Sequence, residues 1–266
     1  MDVASRLEWH PLLCDPTGVR AAKPRTCAKT MVIDKGLGLN AFEDLLQTAA
    51  PYMDILKMGF GTTPLYPFGL LKRKIELARQ HHISIMPGGT FLEVAVANGA
   101  VADFFDTVRL LGFNAIEVSD GTIEMERCVR NELIRRGVDA GLTVYTEYGK
   151  KLWGSAIDIE QLLETMLIDV EHGAALVTVE ARESGKGVGI FDADGRCRDD
   201  DLQAIMRQIA HPEQLLWEAP NKEQQVYLLK ALGPTVNLGN VAPQDIFSLE
   251  TLRRGLRSDT LRVPQK

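Results

Sequence analysis

Short apolar runs alternate along this chain with longer segments whose apolar residues recur at helical spacing. Residues 31–33 form one such run, and Phe42, Leu45 and Leu46 show the helical spacing that follows it. The runs that we interpret as strands cover residues 31–33, 54–58, 83–86, 115–118, 143–146, 175–179, 215–217 and 235–236. Because these runs are mostly apolar rather than alternating, they predict a parallel sheet that helices cover on its outer face.

Eight strand–helix pairs within 266 residues favour a closed barrel. A doubly wound sheet usually has fewer pairs and one reversal point, whereas single (β/α)8, or TIM, barrels commonly reach this length. Residues 1–29 show no period and are interrupted by prolines. We therefore predict an irregular N-terminal arm over residues 1–29 and a single (β/α)8 (TIM) barrel domain, of class α/β, over residues 30–266.

Two helix boundaries follow from local signals. The helical segment that ends at Leu111 is long enough for two helices, and we expect a break near Asn98 and Gly99. The next helix is expected to run from Glu124 to about Arg136.

Composition and charge narrow the class of partners. The chain is 45% hydrophobic and 25% charged, as is typical of a globular domain. A net charge of −6 argues against nucleic acid or an acidic membrane surface as a partner, and no apolar run approaches the roughly 20 residues that span a bilayer. Four cysteines without a C-x-x-C pair suit free thiols in a reducing compartment. We predict a cytoplasmic protein, and the arm and the last helix are candidates for a homo-oligomer interface.

Polar residues stand where nearly every predicted strand ends. In a (β/α)8 barrel these ends meet at one face, where the active site lies. A single acid at a strand end is more often a helix cap or an ion-pair partner than a catalyst, but eight converging ends favour a function for the set. The residues concerned are Asp34, Lys35, Lys57, Gly88, Gly89, Thr90, Glu117, Asp120, Glu147, Lys150, Lys151, Glu180, Arg182, Glu183, Glu218, Asn237 and Asn240.

Three of these acids are candidates for metal ligands. Glu117, Glu147 and Glu180 follow the adjacent strands four, five and six, so that they could share one ion. With no histidine or cysteine beside them, the oxygen ligands favour a hard cation, and we predict Mg²⁺.

Cations and backbone amides at the same face suit an anionic small molecule. Lys57 and Lys151 would face the charges of a phosphorylated or carboxylated substrate, and a half-buried lysine can have a lowered pKa and transfer protons. The amides of Gly88, Gly89 and Thr90 could bind anionic oxygens.

The strand-end segments together resemble the phosphosulfolactate synthase family. Each segment alone is a modest signal, as with Glu147-Tyr148-Gly149-Lys150-Lys151, but jointly they are specific. The matching segments occur in the same order along nearly the whole chain, at residues 23–25, 33–36, 57–62, 87–90, 117–121, 147–151, 180–185, 217–220, 236–238 and 249–260.

This resemblance implies a Mg²⁺-dependent carbon–sulfur lyase on a (β/α)8 barrel. Such an enzyme adds sulfite to phosphoenolpyruvate through an enediolate-like intermediate and gives (2R)-2-phospho-3-sulfolactate, an early step toward coenzyme M in archaea. The motif match assigns the general acid to Lys151 and the metal to Glu117, Glu147 and Glu180. The phosphate, carboxylate or sulfite groups are assigned to Lys57, Gly88, Gly89, Thr90, Arg182, Asn237 and Asp34.

Two departures from the family pattern keep other functions open. Tyr148 stands where a small aliphatic residue is expected and Gly239 where alanine is common, and both are expected beside the site. One alternative is a related barrel enzyme that acts on another enol phosphate or uses another nucleophile. The other is a non-catalytic stress-associated homologue, because the family has plant relatives associated with heat stress.

Overall fold

Eight parallel strands form the wall of a barrel that helices cover on the outside. The computed structural model describes residues 9–261. The strands are β1 (Thr30–Asp34), β2 (Ile55–Met58), β3 (Ser84–Pro87), β4 (Ala115–Val118), β5 (Thr143–Tyr148), β6 (Ala174–Val179), β7 (Leu215–Glu218) and β8 (Asn237–Val241). The helices are α1 (Pro11–Cys14), α2 (Leu39–Ala49), α3 (Phe68–Gln80), α4 (Gly89–Ala97), α5 (Val101–Leu111), α6 (Arg127–Asp139), α7 (Ile159–Glu171), α8 (Asp199–Gln208), α9 (Lys222–Leu232) and α10 (Ile246–Arg253).

The strand order confirms the predicted (β/α)8 barrel. Backbone hydrogen bonds connect the strands in the order β3-β2-β1-β8-β7-β6-β5-β4, and every pair is parallel. At the seam between β3 and β4 a side chain takes the place of the ladder. The Asn114 carboxamide accepts from the Ile85 amide at 2.7 Å and donates to the Ile83 carbonyl at 3.3 Å. The ring is thereby nearly closed.

Most predicted elements are confirmed, with some shifted ends. The long helical segment divides into α4 and α5 as expected, with Gly99 at a φ of 68° in the break. Helix α6 begins three residues later than predicted, at Arg127. The predicted strand at residues 235–236 is wrong, because β8 covers Asn237–Val241 and pairs with both β7 and β1.

The N-terminal arm packs across the end of the barrel opposite the predicted site. Arg20 pairs with Glu250 of α10 at 2.9 Å, and Arg25 pairs with Asp54 at 3.2 Å. Residues 9–29 contain one helical turn, α1, in an otherwise irregular path. Residues 1–8 of the predicted arm and residues 262–266 of the predicted barrel domain lie outside the described part of the chain.

Side-chain alternation along the strands places charged groups above an apolar floor. Residues two apart on a strand face the same side of the sheet. A buried cluster inside the barrel consists of Met31, Ile55, Met86, Ala115, Tyr145, Leu176 and Leu216. Two residues beyond Ile55, Ala115, Tyr145 and Leu216 stand Lys57, Glu117, Glu147 and Glu218. The same alternation that fills the core therefore directs one lysine and three carboxyl groups into the barrel mouth.

Between residues 9 and 261, the structure contains no helix that is both long and apolar enough to cross a membrane.

Candidate active site

A cavity of about 550 Å³ opens at the carboxyl ends of the strands. Its wall includes most of the predicted site, namely Lys57, Gly88, Gly89, Thr90, Glu117, Glu147, Lys151, Glu180 and Arg182. Glu218 and Asn240 line it as well. The convergence that was expected from the strand ends is therefore present in the structure.

Lys57 stands on the cavity floor and is surrounded by carboxylates. Its Nζ lies 2.9 Å from Glu218 Oε1, 3.0 Å from Glu117 Oε1 and 3.3 Å from Glu147 Oε2. Burial acts to lower the pKa of Lys57, but the attraction of Glu117, Glu218 and Glu147 outweighs it and raises the pKa well above its ordinary value. The prediction of a lowered lysine pKa is wrong here, and Lys57 is a fixed positive charge.

Lys151 reaches the same cluster from the loop after β5. Its Nζ lies 2.8 Å from Glu147 Oε1 and 3.5 Å from Glu180 Oε2, and it donates to Thr90 Oγ1 at 3.1 Å. Burial opposes the charge, but Glu147 and Glu180 raise the pKa of Lys151 above its ordinary value. This correction to the expected direction makes Lys151 a charged group that can donate a proton rather than accept one.

Three carboxyl groups lie close enough to hold one cation. Glu147, Glu180 and Glu218 each offer an oxygen within 4.8 Å of the others. Glu180 Oε2 is buried and has no hydrogen-bond partner among the described residues, although the Lys151 ammonium lies 3.5 Å away. A buried oxygen in this state, within an all-oxygen donor set, fits a hard divalent ion.

Glu117 has a different set of contacts. Its Oε1 lies 3.0 Å from Lys57 Nζ, and its Oε2 accepts from the Gly89 amide at 2.7 Å. The group that the structure brings together therefore contains Glu218 in place of the predicted Glu117.

The predicted anion cradle is largely occupied by the protein itself. The Gly89 amide binds Glu117, and the Gly88 amide donates to the Met58 carbonyl at 3.0 Å. A Cβ at Gly89 would lie 2.5 Å from Ser119 Oγ, so the close approach of the two segments requires glycine there. Of the three predicted residues, Thr90 keeps a side chain in the cavity wall.

Two further predicted residues lie outside the cavity wall. Asp34 is fully buried at the end of β1, where its carboxylate pairs with Lys74 and accepts from the Gly36 amide at 2.9 Å. Asn237 stands at the start of β8, at the opposite end of the strand from the mouth. Its carboxamide accepts from the Lys29 amide at 2.9 Å and donates to the Leu215 carbonyl at 2.9 Å. Both side chains thus stabilise the barrel, and the misplaced strand explains why Asn237 was expected at the mouth.

Arg182 connects the loop after β6 with the loop that carries Lys151. Its backbone amide donates to Glu180 Oε1 at 2.5 Å, and its guanidinium donates to the Lys151 carbonyl at 2.8 Å. It therefore holds both a carboxyl group of the cluster and the segment that carries Lys151.

Glu93 belongs to the site although the sequence pattern did not single it out. This buried acid on α4 accepts from Ser119 Oγ at 2.5 Å and from the Thr122 and Ile123 amides at 2.7 and 3.0 Å, so it orders the loop after β4. It also lies 3.7 Å from Lys151 Nζ. A lone acid within the apolar stretch of α4 was the available signal.

The two departures from the family pattern do not touch the cavity. Tyr148 faces the outer helices, and its hydroxyl donates to the Asp158 carbonyl at 2.9 Å. A Cβ at Gly239 would meet the side chains of Leu216 and Met31, which belong to the apolar floor. Neither residue is among those that form the cavity wall.

The carboxyl cluster predicts how stability depends on pH. Burial, with Glu147 and Glu218 nearby, raises the pKa of Glu180 well above its ordinary value. Folding therefore favours the protonated form, and this contribution is lost as the pH rises through the raised pKa. In EDTA, we expect the unfolding temperature to fall as the pH is raised from about 5 to about 9, and Glu180→Gln to flatten this dependence. Glu147, whose pKa Lys151 and Lys57 lower against the effect of burial, is ionised throughout that window. The unfolding temperature of the wild type and of Glu180→Gln is measured at each pH. An equal change of unfolding temperature with pH in the two proteins would contradict the prediction.

Comparison with known proteins places this geometry in context. The model of the (2R)-phospho-3-sulfolactate synthase family matches residues 18–259. A phosphosulfolactate synthase of Methanothermobacter thermautotrophicus is 40% identical over 247 residues, which cover 92% of this chain and 95% of that protein. Protein HEAT-STRESS-ASSOCIATED 32 of Arabidopsis thaliana is 25% identical over 237 residues, 82% of this chain and 81% of that protein. The YdjI aldolase of Escherichia coli K12 superposes with a TM-score of 0.56 at 10% identity over 86% of each chain, a likeness of fold alone.

Proposed function

The chain belongs to the phosphosulfolactate synthase family, and we propose that it adds sulfite to phosphoenolpyruvate to give (2R)-2-phospho-3-sulfolactate. The observation that carries the proposal is one cavity that holds both a three-carboxylate cluster and the charged Lys151. Addition to an enol phosphate needs a group that stabilises charge on the substrate carboxylate and a group that protonates carbon.

Glu147, Glu180 and Glu218 would hold the cation, for which we propose Mg²⁺. Five buried glutamates (Glu93, Glu117, Glu147, Glu180 and Glu218) surround the ammonium groups of Lys57 and Lys151, so carboxyl groups outnumber cations in this cavity. A cavity with this balance repels an anionic substrate until a divalent ion offsets it. When bound, such an ion supplies Lewis-acid stabilisation of negative charge on the substrate carboxylate.

The reaction then forms one carbon–sulfur bond and one carbon–hydrogen bond. The sulfur lone pair of sulfite attacks the methylene carbon, and the double-bond electrons move into the carboxylate to give an enediolate-like species. Lys151 donates its proton to the carbon that bears the phosphate, and the electrons return to form that bond. Phosphate stays on the product, and Lys151 regains its proton from solvent through its partly exposed side chain, whose relative exposure is 23%.

The charges around Lys151 suit this role. Glu147 and Glu180 hold its Nζ and stabilise the ammonium form before reaction. If those carboxylates held a cation, less negative charge would face the lysine, and the Lys151 ammonium would donate its proton more readily. Lys57 remains on the floor as a fixed charge that balances Glu117 and Glu218. Arg182 and Thr90, at the rim and wall, are the groups that we assign to the anionic ends of the substrates.

The test is the loss of the enol absorbance of phosphoenolpyruvate with Mg²⁺, with and without sulfite. We expect loss that requires sulfite, releases no inorganic phosphate and stops when EDTA removes the cation. Phosphoenolpyruvate binding without sulfite-dependent loss would favour another nucleophile on the same site. Failure of the protein to bind phosphoenolpyruvate at all would favour a non-catalytic role.

A further inference from the structure

Backbone strain is concentrated around the cavity. Three non-glycine residues in its wall, Phe60, Arg182 and Asn240, have left-handed φ angles of 55°, 62° and 54°. Side chains with a Cβ are strained in this region, although asparagine tolerates it better than most. Such outliers cluster at functional sites, where the strain aims a side chain. Arg182 already has contacts to the cluster, so the other two positions call for an explanation.

Asn240 is the more informative of these positions. It lies near the mouth end of β8, its relative exposure is 6%, and it lines the cavity. Its carboxamide oxygen is buried without a hydrogen-bond partner among residues 9–261. Leaving a buried polar group in this state is unfavourable. Asn237, on the same strand, has its carboxamide bonded to three backbone groups, so an unsatisfied amide is not general to β8.

We propose that Asn240 is a substrate-recognition residue whose carboxamide N–H donates a hydrogen bond to an anionic oxygen of the enol phosphate. The inference rests on the proposed function, since it assigns a further contact within the same site. The oxygen belongs to either the phosphate or the carboxylate of that substrate, and these two sources share the same donor chemistry.

The composition of the cavity favours a neutral donor for this contact. Lys57 and Lys151 are both paired with glutamates, so an oxyanion that bound either ammonium would compete with a carboxylate. A carboxamide has two N–H donors and carries no charge, and its N–H end, rather than the unpaired oxygen, is the end that an oxyanion can meet. It can therefore meet an oxyanion without first leaving an ion pair, and the left-handed backbone keeps it directed at the cavity.

The experiment measures ligand affinity by isothermal titration calorimetry, with Mg²⁺ present and sulfite absent. The ligands are phosphoenolpyruvate, inorganic phosphate and pyruvate, and the proteins are the wild type, Asn240→Asp and Asn240→Gly. Asn240→Asp keeps the shape and tolerates the left-handed backbone but replaces the N–H donors with a carboxylate, so we expect phosphoenolpyruvate affinity to fall about tenfold or more. Asn240→Gly removes the amide without backbone strain, and a loss of about fivefold is expected.

The three ligands distinguish a contact to the phosphate from a contact to the carboxylate, and the two variants test the role of Asn240 separately from the proposed function. Weaker binding of inorganic phosphate with unchanged pyruvate binding assigns the contact to the phosphate, and the reverse assigns it to the carboxylate. Wild-type affinity for phosphoenolpyruvate, within about twofold, in both variants would overturn the role of Asn240 and leave the proposed function standing. A wild type that does not bind phosphoenolpyruvate would overturn both. Asn98→Asp, at the exposed end of α4, makes the same charge change and should bind like the wild type.

Discussion

Replacing Lys151 with alanine is expected to lower sulfite-dependent consumption of phosphoenolpyruvate by a factor of about 10²–10⁴. The lysine is held 2.8 Å from Glu147 Oε1 and is kept charged by its neighbours, so its ammonium group carries a proton that it can donate. Because the proposed mechanism transfers the proton after sulfite attack, the loss should fall on kcat more than on the KM for phosphoenolpyruvate. The assay is enol absorbance with Mg²⁺ and sulfite at several substrate concentrations.

Two further variants separate proton donation from charge. Lys151→Arg keeps the positive charge but holds its proton too tightly to transfer it, so it should be nearly as inactive as Lys151→Ala. Lys150→Ala is the matched control, because the Lys150 Nζ donates to the Asp120 and Ile123 carbonyls at 2.9 and 3.2 Å rather than to the carboxyl cluster. We expect Lys150→Ala to keep activity within about tenfold of the wild type. Substantial activity in Lys151→Arg would reject the role of general acid.

The barrel could be predicted because most strands are apolar on both faces and the helices keep their own period. Strand β8 was not predicted in this way. Its residues Asn237, Gly239 and Asn240 are typical of a loop, and the run contains few apolar side chains. Hydrogen bonds from β7 and β1 on either side make it a strand, and those partners are distant in sequence. Tertiary pairing overrode local preference, and the error moved Asn237 to the wrong end of the barrel.

The sequence predicts which residues face the barrel mouth, but not which of them contact one another. Lys57, Glu117 and Glu147 follow inward-facing apolar residues at a spacing of two, so their direction is implied by strand alternation. Which carboxyl groups share an ion depends on the relative positions of the strands around the barrel, and that stagger has no local signal. Glu93 could not be found at all from strand ends, because it enters from a helix.

The direction of the lysine pKa shifts was wrong for a related reason. A half-buried lysine loses charge when desolvation dominates, and the sequence does show that Lys57 and Lys151 lie near a buried mouth. It does not show that Lys57 has three carboxylates within 3.3 Å, or that Lys151 has Glu147 at 2.8 Å. Pairing then outweighs burial. A lysine beside carboxylates therefore serves as an acid or a counter-ion, and its role follows from its neighbours rather than its depth.

Glu218→Gln is expected to weaken Mg²⁺ binding by about 100-fold or more, because it removes the charge of one member of the three-carboxylate cluster. Glutamine keeps the shape and can still accept from the Ala181 amide, which Glu218 Oε2 binds at 3.0 Å, but it gives up the contact of Oε1 with Lys57. Sulfite-dependent turnover should fall with the cation affinity and recover in part at high Mg²⁺. Calorimetric titration of Mg²⁺, and thermal unfolding with and without the ion, measure the binding apart from any activity.

Glu117→Gln is the variant that decides which carboxyl groups form the cation site. Glu117 is engaged by Lys57 and by the Gly89 amide, outside the cluster of Glu147, Glu180 and Glu218. We therefore expect Glu117→Gln to change Mg²⁺ affinity by less than about tenfold, the effect of a neighbour rather than a ligand. If Glu117→Gln instead lost Mg²⁺ binding as Glu218→Gln is expected to, the cation would belong among strands β4, β5 and β6 as the sequence suggested. Glu117 and Glu218 both contact Lys57, and each variant removes one negative charge beside it. A difference in Mg²⁺ affinity between the two variants therefore reports where the cation binds rather than the loss of charge.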